Sequence, residues 1–210
     1  MKLFISSFLF LTFLFSFGQK KDIYLNDNLE YITKIEFDKN TYSDGYLKLK
    51  YDIDSVFVNV SVKRERKGKI SSNLLDSIKS SLSADVNYFI ENKFIVINYY
   101  PGKDNCNSTG NKNSARESYR NFLRKIKKIK NAKQFFVYKS IDGTEMYGKL
   151  NWIKDKESII ERTFFPLHYP CGSFVLIDSL GNYYSYKAEY NLNNIFKLLK
   201  DENTFFNADK

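Results

Sequence analysis

Apolar and polar residues alternate with a period of two from Glu30 to Lys63, in "EYITKIEFDKN", "GYLKLKYDI" and "SVFVNVSVKRER". This predicts successive antiparallel strands with Val56, Val58, Val60 and Val62 on one face. "SDG" at 43–45 is a turn signal, and "RERKGKIS" from Arg64 is a polar break. Ser71 or Ser72 then caps a short amphipathic helix carrying Leu74, Leu75, Ile78 and Leu82. From residue 93 strand and helix alternate instead. "KFIVINYY" is apolar throughout, as a central strand buried on both faces requires. A polar loop follows, then a helix over Ser114–Lys130 whose buried face is Tyr119, Phe122, Leu123, Ile126 and Ile129. Next come a strand at "KQFFVYKS", a helix over Asp155–Phe164, a strand at "SFVLID", the turn "SLGN", a strand at "YYSYKAEY" and a helix from Asn191 to about Lys200. The 114–130 helix has the length of a crossover between parallel strands, and the turn at Ser179–Asn182 adds an antiparallel partner. The fold class is α/β.

The N-terminus changes the picture of where the chain acts. Residues 1–18, "MKLFISSFLFLTFLFSFG", combine one early lysine with an apolar run and a small residue before "QKKD", the pattern of a secretory signal peptide. The run is shorter than the roughly 20 residues of a membrane span. The expectation is an exported protein, periplasmic or extracellular, that is not an integral membrane protein after cleavage; an uncleaved anchor is the alternative. The chain has 33 Lys and Arg against 24 Asp and Glu, a net charge of +9. That excess can draw the protein to an envelope protein or an anionic surface, although a Lys-rich surface that keeps the chain soluble is the plainer reading, and export argues against nucleic acid. The 16 Tyr and 19 Phe fit core and half-buried sheet positions without a ligand.

Residues 93–200 resemble the thioredoxin superfamily, in particular its secreted, peroxiredoxin-like members. The resemblance lies in "FIVINYY" followed by a loop cysteine ahead of a helix, and in "SFVLIDSLGNYYSYKAEYNLNNIFKLLK", which looks like that family's closing hairpin and helix. It implies a thioredoxin-like three-layer sandwich over 93–210; the periodicity ahead of it gives a strand-rich portion with one helix over 19–92. The family's Cys-x-x-Cys motif falls on Cys106, Asn107, Ser108 and Thr109, so Thr109 stands where the resolving cysteine belongs. The family's cis-proline position falls near Gly172 or Ser173, with Pro170 upstream. The same alignment puts Cys171 beside Cys106, 65 residues away. Three readings follow: a structural disulfide, as an even cysteine count in an oxidising compartment favours; a redox-active pair in which Cys106 attacks and Cys171 resolves; or two unpaired thiols.

Other candidates add less. His168, the single histidine, lies three residues before Cys171 and is in position to assist a thiolate, although a loop histidine without a task is the plainer reading. One His and two Cys do not close a zinc site without a carboxylate, and the sequence places none; no metal and no cofactor are expected. "RKIKKIK", Arg124–Lys130, reads first as a solvated helix face, and Trp152 as a core anchor. The expectation is an exported thioredoxin-like protein with a degenerate redox motif and a non-catalytic binding or structural role in the cell envelope. Its alternatives are a thiol-disulfide oxidoreductase and a basic envelope-interaction module.

Overall fold

A computed structural model describes residues 20–83 and 93–200; the expected signal peptide lies outside them. The chain divides at Lys63/Arg64 into two units. In the first, β1 (Lys21–Leu25) runs parallel to β3 (Val56–Lys63), and β2 (Tyr46–Ile53) pairs antiparallel with β3. The β2–β3 hairpin closes through Asp54 and Ser55, with Asp54 at a positive φ of 46°, as a tight two-residue turn demands. Of the expected valine face Val60 and Val62 are buried and Val56 and Val58 half-buried, while Asn59 and Ser61 between them are buried too.

One expected strand is a helix. Lys34–Lys39 forms α1, within the segment that alternates as "EYITKIEFDKN". The reason is a capping box: Thr33 accepts from the Glu36 N–H, and the Glu36 carboxylate accepts from the Thr33 N–H at 2.7 Å. Local satisfaction of both orphan donors outweighs the alternation, and only Phe37 of this helix is buried.

The second unit holds a six-stranded sheet in the order β4-β9-β8-β5-β6-β7. Its strands are β4 (Glu65–Lys69), β5 (Phe94–Tyr100), β6 (Ala132–Tyr138), β7 (Trp152–Lys154), β8 (Ser173–Asp178) and β9 (Asn182–Tyr186). Among the described residues the α-helices of this unit are α2 (Ser72–Leu82), α3 (Lys112–Ile126), α4 (Ile159–Phe164) and α5 (Leu192–Lys200). β5, β6 and β7 are parallel to one another, and α3 is the crossover from β5 to β6. β8 pairs antiparallel with β5 on its other side, β9 with β8, and β4 with β9.

The expected polar break at "RERKGKIS" is therefore strand β4, and it belongs to the second sheet rather than to a 19–92 portion. A charged edge strand carries no apolar alternation and blunts further pairing, so its partner β9, more than a hundred residues on, is what defines it. β7 was also not expected: three residues at the opposite edge give no period to read. Every residue of β5 is buried, as an apolar central strand should be. Phe94 and Val96 on one face of it join Phe122 and Ile126 of α3, Ile195 and Leu199 of α5, and Phe174 and Leu176 of β8 in a single core. On the other face Tyr99 stacks on Phe165, with ring centroids 5.1 Å apart, and Phe164 meets Tyr183 at 5.0 Å. α2 buries Leu75, Ile78 and Leu82 and is capped by Ser71, as its sequence predicts.

Candidate functional site

The loop leaving the carboxyl end of β5 is shaped by its own polar side chains. Asp104 Oδ1 accepts the backbone N–H groups of Cys106 at 2.9 Å and Asn107 at 2.8 Å, the local turn that Asp favours. Asn107, itself buried, answers by accepting the Asp104 N–H at 3.0 Å and donating to the Gly102 carbonyl at 2.9 Å. The result holds Cys106 outward on a fixed turn. Its side is exposed, whereas Cys171 is half-buried.

Cys171 reaches the same place from the loop entering β8. It has a positive φ of 70°, followed by Gly172 at 139°. Gly172 sits where a Cβ would lie 3.0 Å from the Tyr99 carbonyl oxygen of β5. The Cys171 N–H donates to Asp104 Oδ2 at 2.9 Å. Cys106 and Cys171 are joined as a disulfide, with Cα atoms 5.1 Å apart, inside the range that bridging requires. The juxtaposition implied by the resemblance is thus present, and neither described cysteine is free. Pro170, like every described residue, follows a trans peptide bond.

His168 joins the cluster. Its Nε2 lies 3.3 Å from Asp104 Oδ2; the carboxylate is largely buried and the imidazole about half exposed. Asp104 is the residue that sequence reasoning missed. The signal was local, an Asp two residues before the loop cysteine, but its reach to Cys171 and His168 depends on the fold.

Beside the disulfide lies a cavity of about 230 Å³ bounded by Cys106, Cys171, Met146, Tyr119, Tyr147 and Tyr190. Burial, and then the Asp104 charge, push the Tyr147 phenol up to about 12. Burial likewise raises Tyr119 and Tyr190. The three phenols stay neutral at ordinary pH and give the cavity an aromatic wall, which Glu189 also borders. Tyr190 is fixed by the Asn98 amide, which donates to its oxygen at 2.7 Å while accepting from Gln134 at 3.0 Å.

Helix α3 begins at Lys112 with Asn111 as its N-cap. Cys106 therefore lies outside the first turn, where a helix N-terminus acts on a thiolate. Trp152 is half-buried among Tyr100, Phe136 and Tyr147, a packing role. Lys125, Lys127 and Lys128 are exposed, with the Lys125 ammonium 5.8 Å from the Phe196 ring centroid.

No family model matches the chain, and comparisons with curated proteins and with solved structures return no match. Among the described residues no helix is long and apolar enough to cross a membrane.

Proposed function

We propose that this is an exported thioredoxin-like protein whose Cys106–Cys171 disulfide exchanges with external thiols. The strand and helix order of the second unit supports the thioredoxin-like reading. A parallel pair with a helical crossover is extended on the other side of its first strand by an antiparallel hairpin and a closing helix. The observation that carries the function is the exposure of Cys106 at the edge of an aromatic cavity that the disulfide itself bounds. Exposed disulfides are the labile and catalytic ones.

The chemistry is a two-electron exchange. A substrate thiolate attacks Cys106 Sγ, the Cys106–Cys171 bond breaks, and Cys171 leaves as a thiolate that takes up a proton. A second substrate thiolate attacks the substrate sulfur of the mixed disulfide, releasing oxidised substrate and the Cys106 thiolate. In the reverse direction Cys106 attacks and Cys171 resolves. The cavity suits an apolar or aromatic residue flanking the substrate sulfur.

The test is equilibration of the native protein with a glutathione redox buffer, acid quenching and mass mapping. Exchange predicts reversible opening, and a glutathione adduct trapped on Cys106 in Cys171→Ser. A native protein that keeps the bond against millimolar dithiol sinks the reading.

One observation favours a second reading, a structural staple in a non-catalytic envelope protein. Asp104 ties both cysteine loops through three backbone N–H groups, so the disulfide adds a covalent lock to loops that these hydrogen bonds also join. Resistance to reduction together with a large loss of stability in Cys106→Ser supports that reading.

A further inference from the structure

We infer that the reduced site is a zinc-type metal site made by Asp104, Cys106 and Cys171, with His168 in the fourth position. This rests on the exchange reading, since the ligands exist only when the disulfide is open. A carboxylate oxygen of Asp104 and the two Sγ atoms all lie within 4.8 Å of one another; His168 stands outside that set, touching it through Asp104 Oδ2 at 3.3 Å, and its half-exposed imidazole has to turn toward the sulfurs to ligate. Four ligands around zinc at about 2.3 Å for sulfur and 2.0–2.2 Å for oxygen and nitrogen stand roughly 3.5 Å apart. Reduction lets the two sulfurs part to that distance, and the exposure of Cys106 gives the ion a way in.

The Asp104 carboxylate is prepared for the task. It offers about four lone-pair positions, and three are taken by the N–H groups of Cys106, Asn107 and Cys171. His168 Nε2 lies 3.3 Å from Oδ2, the oxygen that accepts from Cys171. A ligating carboxylate held by outer hydrogen bonds is a feature of built metal sites. Two thiolates, an imidazole and a carboxylate select a thiophilic ion that accepts tetrahedral geometry over calcium or magnesium.

The redox balance is closed by an external dithiol, which becomes a disulfide as it gives two electrons and two protons to Cys106 and Cys171. Metal entry then releases the two thiol protons. Disulfide exchange and metal binding are consequently exclusive states of one pair of sulfurs. The oxidised protein keeps Asp104 and His168 but has no thiolate to offer.

The experiment reduces the full protein with a phosphine, which becomes its oxide, and removes the reagent without air. It then counts thiols, and measures zinc by competition with a chromophoric chelator and cobalt by absorbance. The expected result is one ion per chain in the reduced protein, with thiolate-to-cobalt charge transfer and tetrahedral d–d bands, and no binding to the oxidised protein. His168→Ala is expected to lower zinc affinity at least tenfold. Asp104→Asn is expected to do the same, with circular dichroism confirming its fold. A folded protein with two titratable thiols and no saturable zinc binding overturns the inference. So does unchanged affinity in His168→Ala and Asp104→Asn, which would mark a bare dithiol. Failure of the exchange reading is separate. If mild dithiol leaves the bond intact that reading falls, while the phosphine-reduced protein still decides the metal site; if the bond opens and zinc does not bind, only this inference falls.

Discussion

The Asp104 carboxylate accepts the Cys171 backbone N–H at 2.9 Å across 67 residues of chain. The same side chain holds the turn that carries Cys106, so one carboxylate sets the positions of both half-cystines. Asp104→Ala removes the acceptor from three N–H groups. With solvent able to replace it at exposed Cys106 but less so at Asn107 and Cys171, the expected loss is about 2 kcal/mol. Denaturant unfolding with the disulfide intact measures it, and the rate of reduction by dithiol is expected to rise. An unchanged midpoint and rate would remove Asp104 from its organising role.

Opening the Cys106–Cys171 bond frees a loop of 65 residues. The chain-entropy model assigns such a closure about 4 kcal/mol. Cys106→Ser, Cys171→Ser and the reduced wild type are expected to share one lowered unfolding free energy. A divergence among the three would show that a side chain, and not the covalent closure, sets the difference.

Gly172→Ala tests how closely the Cys171 loop lies on β5. The new Cβ meets the Tyr99 carbonyl oxygen at 3.0 Å at a φ of 139°, and backbone cannot swing aside as a side chain can. A cost of about 1–3 kcal/mol is expected. Stability equal to wild type would mean that the loop relaxes freely.

Asp155 gives a pH dependence of unusual sign. Burial raises its pKa above the ordinary 3.8, despite N–H groups of Ile160 and Glu161 that favour the anion. Between 3.8 and the raised folded value the native state binds more protons than the unfolded state, so stability falls as pH rises through that window. The stability of wild type minus that of Asp155→Asn is expected to decrease from pH 4 to pH 7 in urea titrations. An increase would mean that the hydrogen bonds outweigh burial.

Much of the second unit was legible in the sequence because its elements carry an apolar run or a periodicity of their own. "FIVINYY" is apolar throughout and is the buried β5; Ser71 heads an amphipathic repeat and caps α2; Phe122 and Ile126 keep helical spacing and face the core. The segment 34–39 misled because alternation and a capping box compete there, and two satisfied N–H groups decided for helix. β4 and β7 were illegible because edge strands are defined by their partners' hydrogen bonds rather than by their own periodicity.

The site divides in the same way. Cysteine count, the lone histidine and the apolar strand ahead of a polar loop are properties of the chain, and they were enough to single out Cys106, Cys171 and His168. Only the tertiary structure decided that an aspartate two residues before Cys106 reaches Cys171 and His168, and that an aromatic cavity opens beside the sulfurs. Local hydrogen bonding and periodicity act over a few residues and can be read in order. Contacts across 65 residues depend on the antiparallel return of β8 along β5, which no short stretch of sequence encodes.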